Sequence, residues 1–385
     1  MFKNKFFLMG LILMVSLSFF LYVVFLTNQE PYLTRIYEMD RCFKDGQIPC
    51  RWVPGLENFY GSPIFNYLPP LPYYFGGLVF LITQSLTASV KLVLLVSMVG
   101  SYILIYFLTK IFLGRFKANL SAIFYIFLSF LVIFYSYEKV GLAWGLMFAP
   151  LIILSLNLFL QKRKIQNFLF SAISLSLLVL STDTAISFIG LILLWIFYKC
   201  IRIKDFTFFL LYLSSILLAF LLSAFYIFPA ILERNLVYST SSNDPFRYLP
   251  TSAAEKPQKA ADSKYQILTG DSDVFNFKQG TNWQGFETNT RTHTIIRLSQ
   301  FYFPQWKIFI DGKETQVEYK NNSLGLMTII LGKGKHIVEG RLFDTPIRSI
   351  SNVVTGVSVI LTLLLWIIQL KGVRYWINYY RKRVN

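Results

Sequence analysis

Charge is scarce in this chain, and acids are scarcer than bases. Only 15% of the 385 residues are charged, with 20 Asp and Glu against 37 Lys and Arg. Soluble domains are about one quarter charged, so a wholly soluble fold is excluded. Histidine is nearly absent, with 2 in the chain, and there are 3 cysteines without a C-x-x-C pair. Two histidines cannot make a zinc site with cysteines at this spacing. In the polar stretch 233–349 nothing resembles a glycine-rich phosphate loop or a nucleophile elbow, which removes the commonest nucleotide and hydrolase signatures there. No cofactor is expected from these residues; a divalent metal is left open.

What the chain has instead is apolar length. Hydrophobic residues make up 55% of it and aromatics 18%. Runs long enough to cross a hydrocarbon core of about 30 Å lie near residues 6–26, 88–109, 118–136, 140–160, 165–181, 185–201, 207–230 and 350–370. Residues 6–26 follow Lys3 and Lys5 without a small-residue cleavage site, so they read as an uncleaved anchor. The net charge of +17 is gathered in short basic runs between apolar segments. That pattern fits the positive-inside rule rather than nucleic-acid binding.

Residues 71–84 are apolar but short, and are headed by Pro69, Pro70 and Pro72. Counting them as a span would throw most basic clusters to the outer side. Leaving them out gives eight spans with both termini inside, and makes 71–84 a juxtamembrane or re-entrant helix. The expected organisation is then an anchor over 1–26, a first outer loop over 27–87 and a six-span core over 88–232. An outer linker and β domain follow over 233–349, with a last span and basic tail over 350–385. Multi-pass plasma-membrane residence follows, with the β domain outside.

The β domain is read from alternation and turns. Thr292 to Ser299 alternates with period two, and Trp306-Lys-Ile-Phe-Ile310 runs into Asp311-Gly312, a strong hairpin signal. Residues 326–331 and 336–343 complete the set, and strands at this spacing suggest a small β-sandwich. His293 and His336 fall on strand candidates and read as packing residues. Ser239 to Asp273 reads as an extended connection.

Residues 45–74, rich in Pro, Gly and aromatics, are too polar to cross a bilayer and too apolar for a free linker. They read as a loop packed at a membrane surface. Cys42 and Cys50 share this region and are open to two readings, a disulfide or two thiols. In the short outer loops, Asp183 reads as a turn residue capping the next helix, with a binding role as the sharper alternative. Glu138 and Lys139 read as an interfacial pair.

Three blocks of this region, Gly46-Gln-Ile-Pro-Cys-Arg-Trp52, Tyr60-Gly-Ser-Pro-Ile-Phe65 and Pro69-Pro-Leu-Pro-Tyr-Tyr74, resemble a family of bacterial polytopic proteins. The family is described as membrane proteins related to 6-pyruvoyl-tetrahydropterin synthase. Phe301-Tyr-Phe-Pro-Gln-Trp-Lys307, Asp311-Gly-Lys313 and Asp344-Thr-Pro-Ile-Arg348 are similar to its terminal β domain. Pterin chemistry is not implied, because no soluble synthase domain and no zinc-binding histidine set is present. The resemblance instead implies a C-type glycosyltransferase-like core, with a sugar donor carried on polyprenyl phosphate and a cell-envelope glycan acceptor. Such a site needs a carboxylate at the acceptor hydroxyl and cations on the lipid phosphate.

By that resemblance Glu30 is the catalytic acid or base, and Arg35 and Arg51 bind phosphate. Trp52, Tyr73 and Tyr74 contact lipid or sugar, and Asp183 completes the substrate-binding set. Asn28 and Tyr32 stand where the family pattern carries an acid and a histidine. Whether the chain is an enzyme is therefore open. The alternative is a catalytically degenerate membrane protein whose outer β domain binds a glycan or a protein. Membrane lipid is an expected partner under either reading, and nucleic acid under neither.

Overall fold

The computed structural model describes residue 10 and residues 30–134, 139–204, 206–239, 248–255 and 257–384. The expected first span, the Glu30 side chain and Glu138 lie outside them. The chain divides into two compact units, one holding Lys91–Phe225 and Ile350–Asn385, the other Gln29–Val90 and Tyr226–Ser349.

Nine helices are described. They are α1 (Glu30–Lys44), α2 (Leu71–Thr83), α3 (Leu86–Phe134), α4 (Lys139–Gln161), α5 (Ile165–Val179), α6 (Ala185–Ile203), α7 (Phe206–Leu222), α8 (Ala224–Leu232) and α9 (Pro346–Val384). Among the described residues four helices are long and apolar enough to cross a membrane, or five if the bent pair α7 and α8 is one span. This is a membrane protein carrying apolar helices and a β-rich C-terminal region.

Helix α3 is two helices by its geometry. Gly114 breaks it with φ 74° and ψ 171°, and Tyr102 donates to Asn119 Oδ1 at 2.8 Å. In a straight helix those two Cα atoms would stand about 25 Å apart, beyond side-chain reach. The halves therefore double back at Gly114, where only glycine takes the positive φ without strain. Close packing continues inward: a Cβ on Gly145 would come within 2.5 Å of Thr182, and one on Gly100 within 2.3 Å of the Met147 sulfur.

The segment read as one span over 207–230 is broken. Helices α7 and α8 meet at 84° around Ser223. The backbone N–H of Phe225, freed at the break, donates to the Thr355 hydroxyl at 2.8 Å. Satisfying such groups internally is what makes a broken helix tolerable in hydrocarbon. Ser223 and Ser176 hydroxyls bond at 2.7 Å beside it.

The other unit holds α1, α2 and the strands. The sheets are β4-β5-β10-β7-β8 and β3-β6-β9, with β1 and β2 as a separate pair; every strand pairing is antiparallel. Here β1 is Val237–Ser239, β2 Tyr248–Pro250, β3 Tyr265–Thr269, β4 Ser272–Gln279 and β5 Trp283–Thr290. The rest are β6 Thr294–Phe301, β7 Trp306–Ile310, β8 Lys313–Thr315, β9 Leu326–Leu331 and β10 Gly334–Leu342.

Asp311 and Gly312 both take positive φ, 52° and 77°, as the mirror-image two-residue hairpin turn requires. Ile296, Leu298, Phe301, Ile308, Met327, Ile329 and Val338 form the buried core, each side chain contributing about 1.5–3 kcal/mol. Tyr265 stacks near Phe277 and Phe286, tying β3 to the larger sheet.

Two readings need correction. The stretch taken as an extended connection holds β2 and β3, whose short length gave alternation too few residues to show. His293 lies exposed in the turn before β6, not packed on a strand. His336 is on β10, but its ring faces Asp311 at 2.8 Å and the Gly332 carbonyl at 3.1 Å, a polar pairing rather than packing. That contact holds the Asp311 carboxyl below the usual carboxylate range.

A candidate site built on a buried arginine pair

Helix α1 buries one face, Tyr32, Arg35, Ile36, Met39 and Cys42, at helical spacing. It crosses α2 closely, since a Cβ on Gly77 would stand 2.9 Å from the Phe43 ring, and Phe43 stacks on Tyr74 at 5.8 Å. Helix α2 starts behind Pro70, with a second proline in its first turn, where the missing N–H costs nothing. Its 13 residues span about 20 Å, short of a hydrocarbon core of about 30 Å.

The loop between these helices is fixed from several sides. Cys42 and Cys50 are joined as a disulfide, with Cα atoms 5.6 Å apart. The Gln47 carboxamide oxygen accepts from the backbone N–H of Arg51 and, at 2.8 Å, of Trp52, while its nitrogen donates to the Trp52 carbonyl at 3.2 Å. Trp52 is wholly buried against Phe303 and Trp306, at 5.7 and 6.0 Å between ring centres. Gly61, at φ 93°, leaves room for that indole, because a Cβ there would lie 2.4 Å from it.

Further bonds carry the loop onto the β domain. The Phe301 N–H donates to the Tyr60 carbonyl at 3.0 Å and the Thr281 N–H to Asp45 at 2.6 Å. The Ser62 hydroxyl donates to the Tyr248 carbonyl at 2.9 Å.

Arg51 is held at the centre of this arrangement. Its guanidinium donates to Asn66 Oδ1 at 3.1 Å, and Asn66 returns a bond to the Arg51 carbonyl at 3.3 Å. Asp344 stands 3.8 Å from its Nε. Burial lowers the Arg51 guanidinium to about 10, with Arg348 pushing the same way and Asp344 opposing. It therefore stays cationic at neutral pH.

Arg348 itself is fully buried. It donates to Glu233 at 2.8 Å and lies 4.7 Å from the centre of the Phe303 ring. Thr345 donates to the same carboxylate, and the Tyr67 hydroxyl donates to the Glu233 backbone carbonyl at 2.9 Å. Burial pushes the Tyr67 phenol up.

A cavity of about 330 Å³ opens here, lined by Arg51, Arg341, Asp344, Asn282 and the backbone turn at Gly46 to Pro49. Two guanidinium groups, Arg51 and Arg341, and one carboxylate, Asp344, line it, while the Arg348–Glu233 pair is buried outside the lining. The balance favours an anion, and planar guanidinium donors match phosphate oxygens.

The residues expected from the sequence separate into groups. Arg51, Trp52 and Tyr74 share this neighbourhood, with the Cys50 N–H donating to the Tyr74 hydroxyl at 3.4 Å. Arg35 is buried and donates to the Tyr73 hydroxyl at 3.1 Å. Trp52 is core rather than a contact surface. Asp183 is exposed and does not cap the next helix: the residue before α6 is Thr184, without a side-chain cap bond. Its carboxylate accepts from Thr182 at 3.4 Å.

Asn66, Glu233, Arg341, Asp344 and Arg348 were not anticipated as site residues. Their one local signal was Asp344-Thr-Pro-Ile-Arg348, a charged frame around a helix start.

Glu38 offers a pH test. It is buried beside Gly55, where a Cβ would lie 2.2 Å from its carboxylate, and it pairs with Arg41 at 3.1 Å. Burial raises its carboxyl above the usual value, outweighing Arg41. A carboxyl raised in the folded state binds its proton there more tightly than in the unfolded chain. Stability therefore falls as pH climbs from the ordinary carboxylate range towards the raised value. Denaturant titrations between pH 4 and 7 should show that decline in the wild type and a flatter profile in Glu38→Gln. Equal slopes would remove Glu38 as its source.

The family model described as a 6-pyruvoyl-tetrahydropterin synthase related domain, membrane protein, matches residues 65–247. No curated protein matches the chain. The matched stretch contains Asn66, Tyr73, Tyr74, Asp183 and Glu233, and stops before the two larger sheets.

Proposed function

From the match of residues 65–247 to the family model of membrane proteins related to 6-pyruvoyl-tetrahydropterin synthase, we propose that the chain transfers a sugar from a polyprenyl-phosphate carrier to a cell-envelope acceptor. The observation that carries this reading is the cation excess around the 330 Å³ cavity, where Arg51 is buried yet charged. Arg51 and Arg341 hold the lipid phosphate as the glycosidic bond to it breaks. That is the step at which charge develops and fixed cations count most. Asp344, part-exposed in the same cavity, can orient an acceptor hydroxyl. Glu30 remains the candidate base by its place in the family pattern.

The arrangement in the membrane that fits this activity has eight spans, both termini on the cytoplasmic side, and the two sheets packed as an outer β-sandwich. Basic clusters at 110–117, 162–164 and 199–204 support that orientation. Helix α2, too short to span, then lies at the outer surface.

Purified protein in nanodiscs, given a panel of polyprenyl-phosphate hexoses together with cell-envelope glycan acceptors, should release polyprenyl phosphate as the glycosylated acceptor forms. Arg51→Gln should lower kcat/KM by roughly 10²–10³, the range for losing one charge-stabilising donor, with Arg51→Lys intermediate. Glu30→Gln separates the base from the class: unchanged turnover there removes Glu30 and leaves the transferase. Absence of both turnover and saturable binding of any donor would overturn the transferase.

A further inference from the structure

A second cavity in the same unit, of about 970 Å³, lies on the β-domain side of the loop. Segments far apart in sequence line it: Asn58 and Tyr60 from the loop, Glu255, Gln258 and Lys259 from the stretch after β2, and Leu324 before β9. Its size is at the upper end of small-molecule sites. It shares no lining residue with the arginine cavity.

The backbone beneath it is under tension. Glu57, Asn58 and Phe59 all take positive φ, 53°, 60° and 69°. For Glu57 and Phe59 that costs on the order of 1–2 kcal/mol each, and less for Asn58, a residue type that visits this region more readily. The left-handed turn is closed by Tyr60 N–H to the Glu57 carbonyl at 3.2 Å and Gly61 N–H to the Leu56 carbonyl at 3.0 Å. It is clamped from the far side by the Asn58 amide on the Pro257 carbonyl at 2.8 Å and by Ala261 N–H on the Asn58 carbonyl at 3.1 Å. Strain held by surrounding structure concentrates at ligand clamps.

The lining narrows the ligand class. Glu255 and Lys259 cancel, so no excess charge selects an ion. A wholly apolar ligand would strip water from two amides, a carboxylate and an ammonium without replacing their bonds. A ligand carrying many hydroxyls satisfies all of them, because each hydroxyl both donates and accepts. The Tyr60 ring, seated on Phe301 at 5.5 Å, and Leu324 offer apolar surface to the C–H faces of such a ligand.

The geometry points to a binding groove for a neutral glycan, formed between the first loop and the β domain. It does not rest on the transferase reading, since binding needs no lipid donor.

The test uses the full chain in nanodiscs and calorimetric titration with cello-, chito- and malto-oligosaccharides, with an oligogalacturonate as the anionic comparator. At least one neutral series should bind saturably and more tightly than the oligogalacturonate. Glu255→Gln and Asn58→Gly should each weaken that binding by about tenfold, the loss of one well-made bond to a charged or fixed polar group. Glu255→Gln is the decisive variant, because Glu255 is exposed and its melting temperature should stay at the wild-type value, so lost affinity cannot be put down to unfolding. Asn58→Gly relieves the left-handed turn but also gives up the clamp on Pro257, so its melting temperature is read beside its affinity. No saturable binding by any neutral series, preference for the oligogalacturonate, or affinity within twofold of wild type in both variants would overturn the groove.

Discussion

Replacing Arg348 with alanine is expected to lower the stability of its unit by about 3–5 kcal/mol, the cost of leaving one charge of a buried pair without its partner. The side chain has no exposure and its Glu233 partner 3%. The substitution leaves that carboxylate in a dry pocket with Thr345 as a remaining neutral donor. The cost comes from the carboxylate left behind, not from the value of the pair. It follows that Arg348→Met combined with Glu233→Gln should recover most of the loss, because neither group then carries charge. Chemical denaturation of the two variants checks this, followed by an optical probe of the β domain. Equal destabilisation by the single and double variants would show that packing of the long arginine stem on Phe303, rather than charge, sets the cost.

Trp52→Ala should cost a similar amount, about 3–5 kcal/mol, as large-to-small changes of buried aromatics do. The indole fills the space between Phe303, Trp306 and Gly61. Nothing in a loop clamped by Gln47 and the 42–50 disulfide can collapse into the void. Trp52→Phe retains an aromatic face and should cost less than half as much. Were Trp52 a lipid contact, alanine would change affinity and leave the unfolding midpoint alone. Near-wild-type denaturation with altered donor affinity would restore that role.

The two cases show where sequence reasoning reaches and where it stops. Asp311-Gly312 declared its hairpin because the turn's positive φ values are a local demand that few residue pairs meet. Trp306–Ile310 and Leu326–Leu331 were legible for a related reason: their side chains face a core that local sequence alone must supply. Pro69 to Pro72 likewise announced where α2 begins.

Trp52 was not legible as core, since an aromatic beside Pro and Arg reads the same at a membrane interface. Arg51 was found, but not its setting. Asn66 is close in sequence, whereas Asp344 and Glu233 are placed by the tertiary fold, and an ion pair across that separation leaves no local mark. Glu38 and Asp40 pair with Arg41 and Lys44 at helical spacing, the neighbours that α1 brings first. The break at Ser223 was hidden because an apolar run reads alike whether straight or bent.

The stitching of the first loop to the β domain also sets an order of events during synthesis. Trp52 cannot be buried until Phe303 and Trp306 exist, and Arg51 meets Asp344 only once β10 has been made. At translation rates of about 5–20 residues per second that delay is on the order of tens of seconds. Through that interval the loop carries an unmatched tryptophan and two cysteines on a half-made membrane protein. A nascent chain halted before β7 would present that surface for as long as it survived.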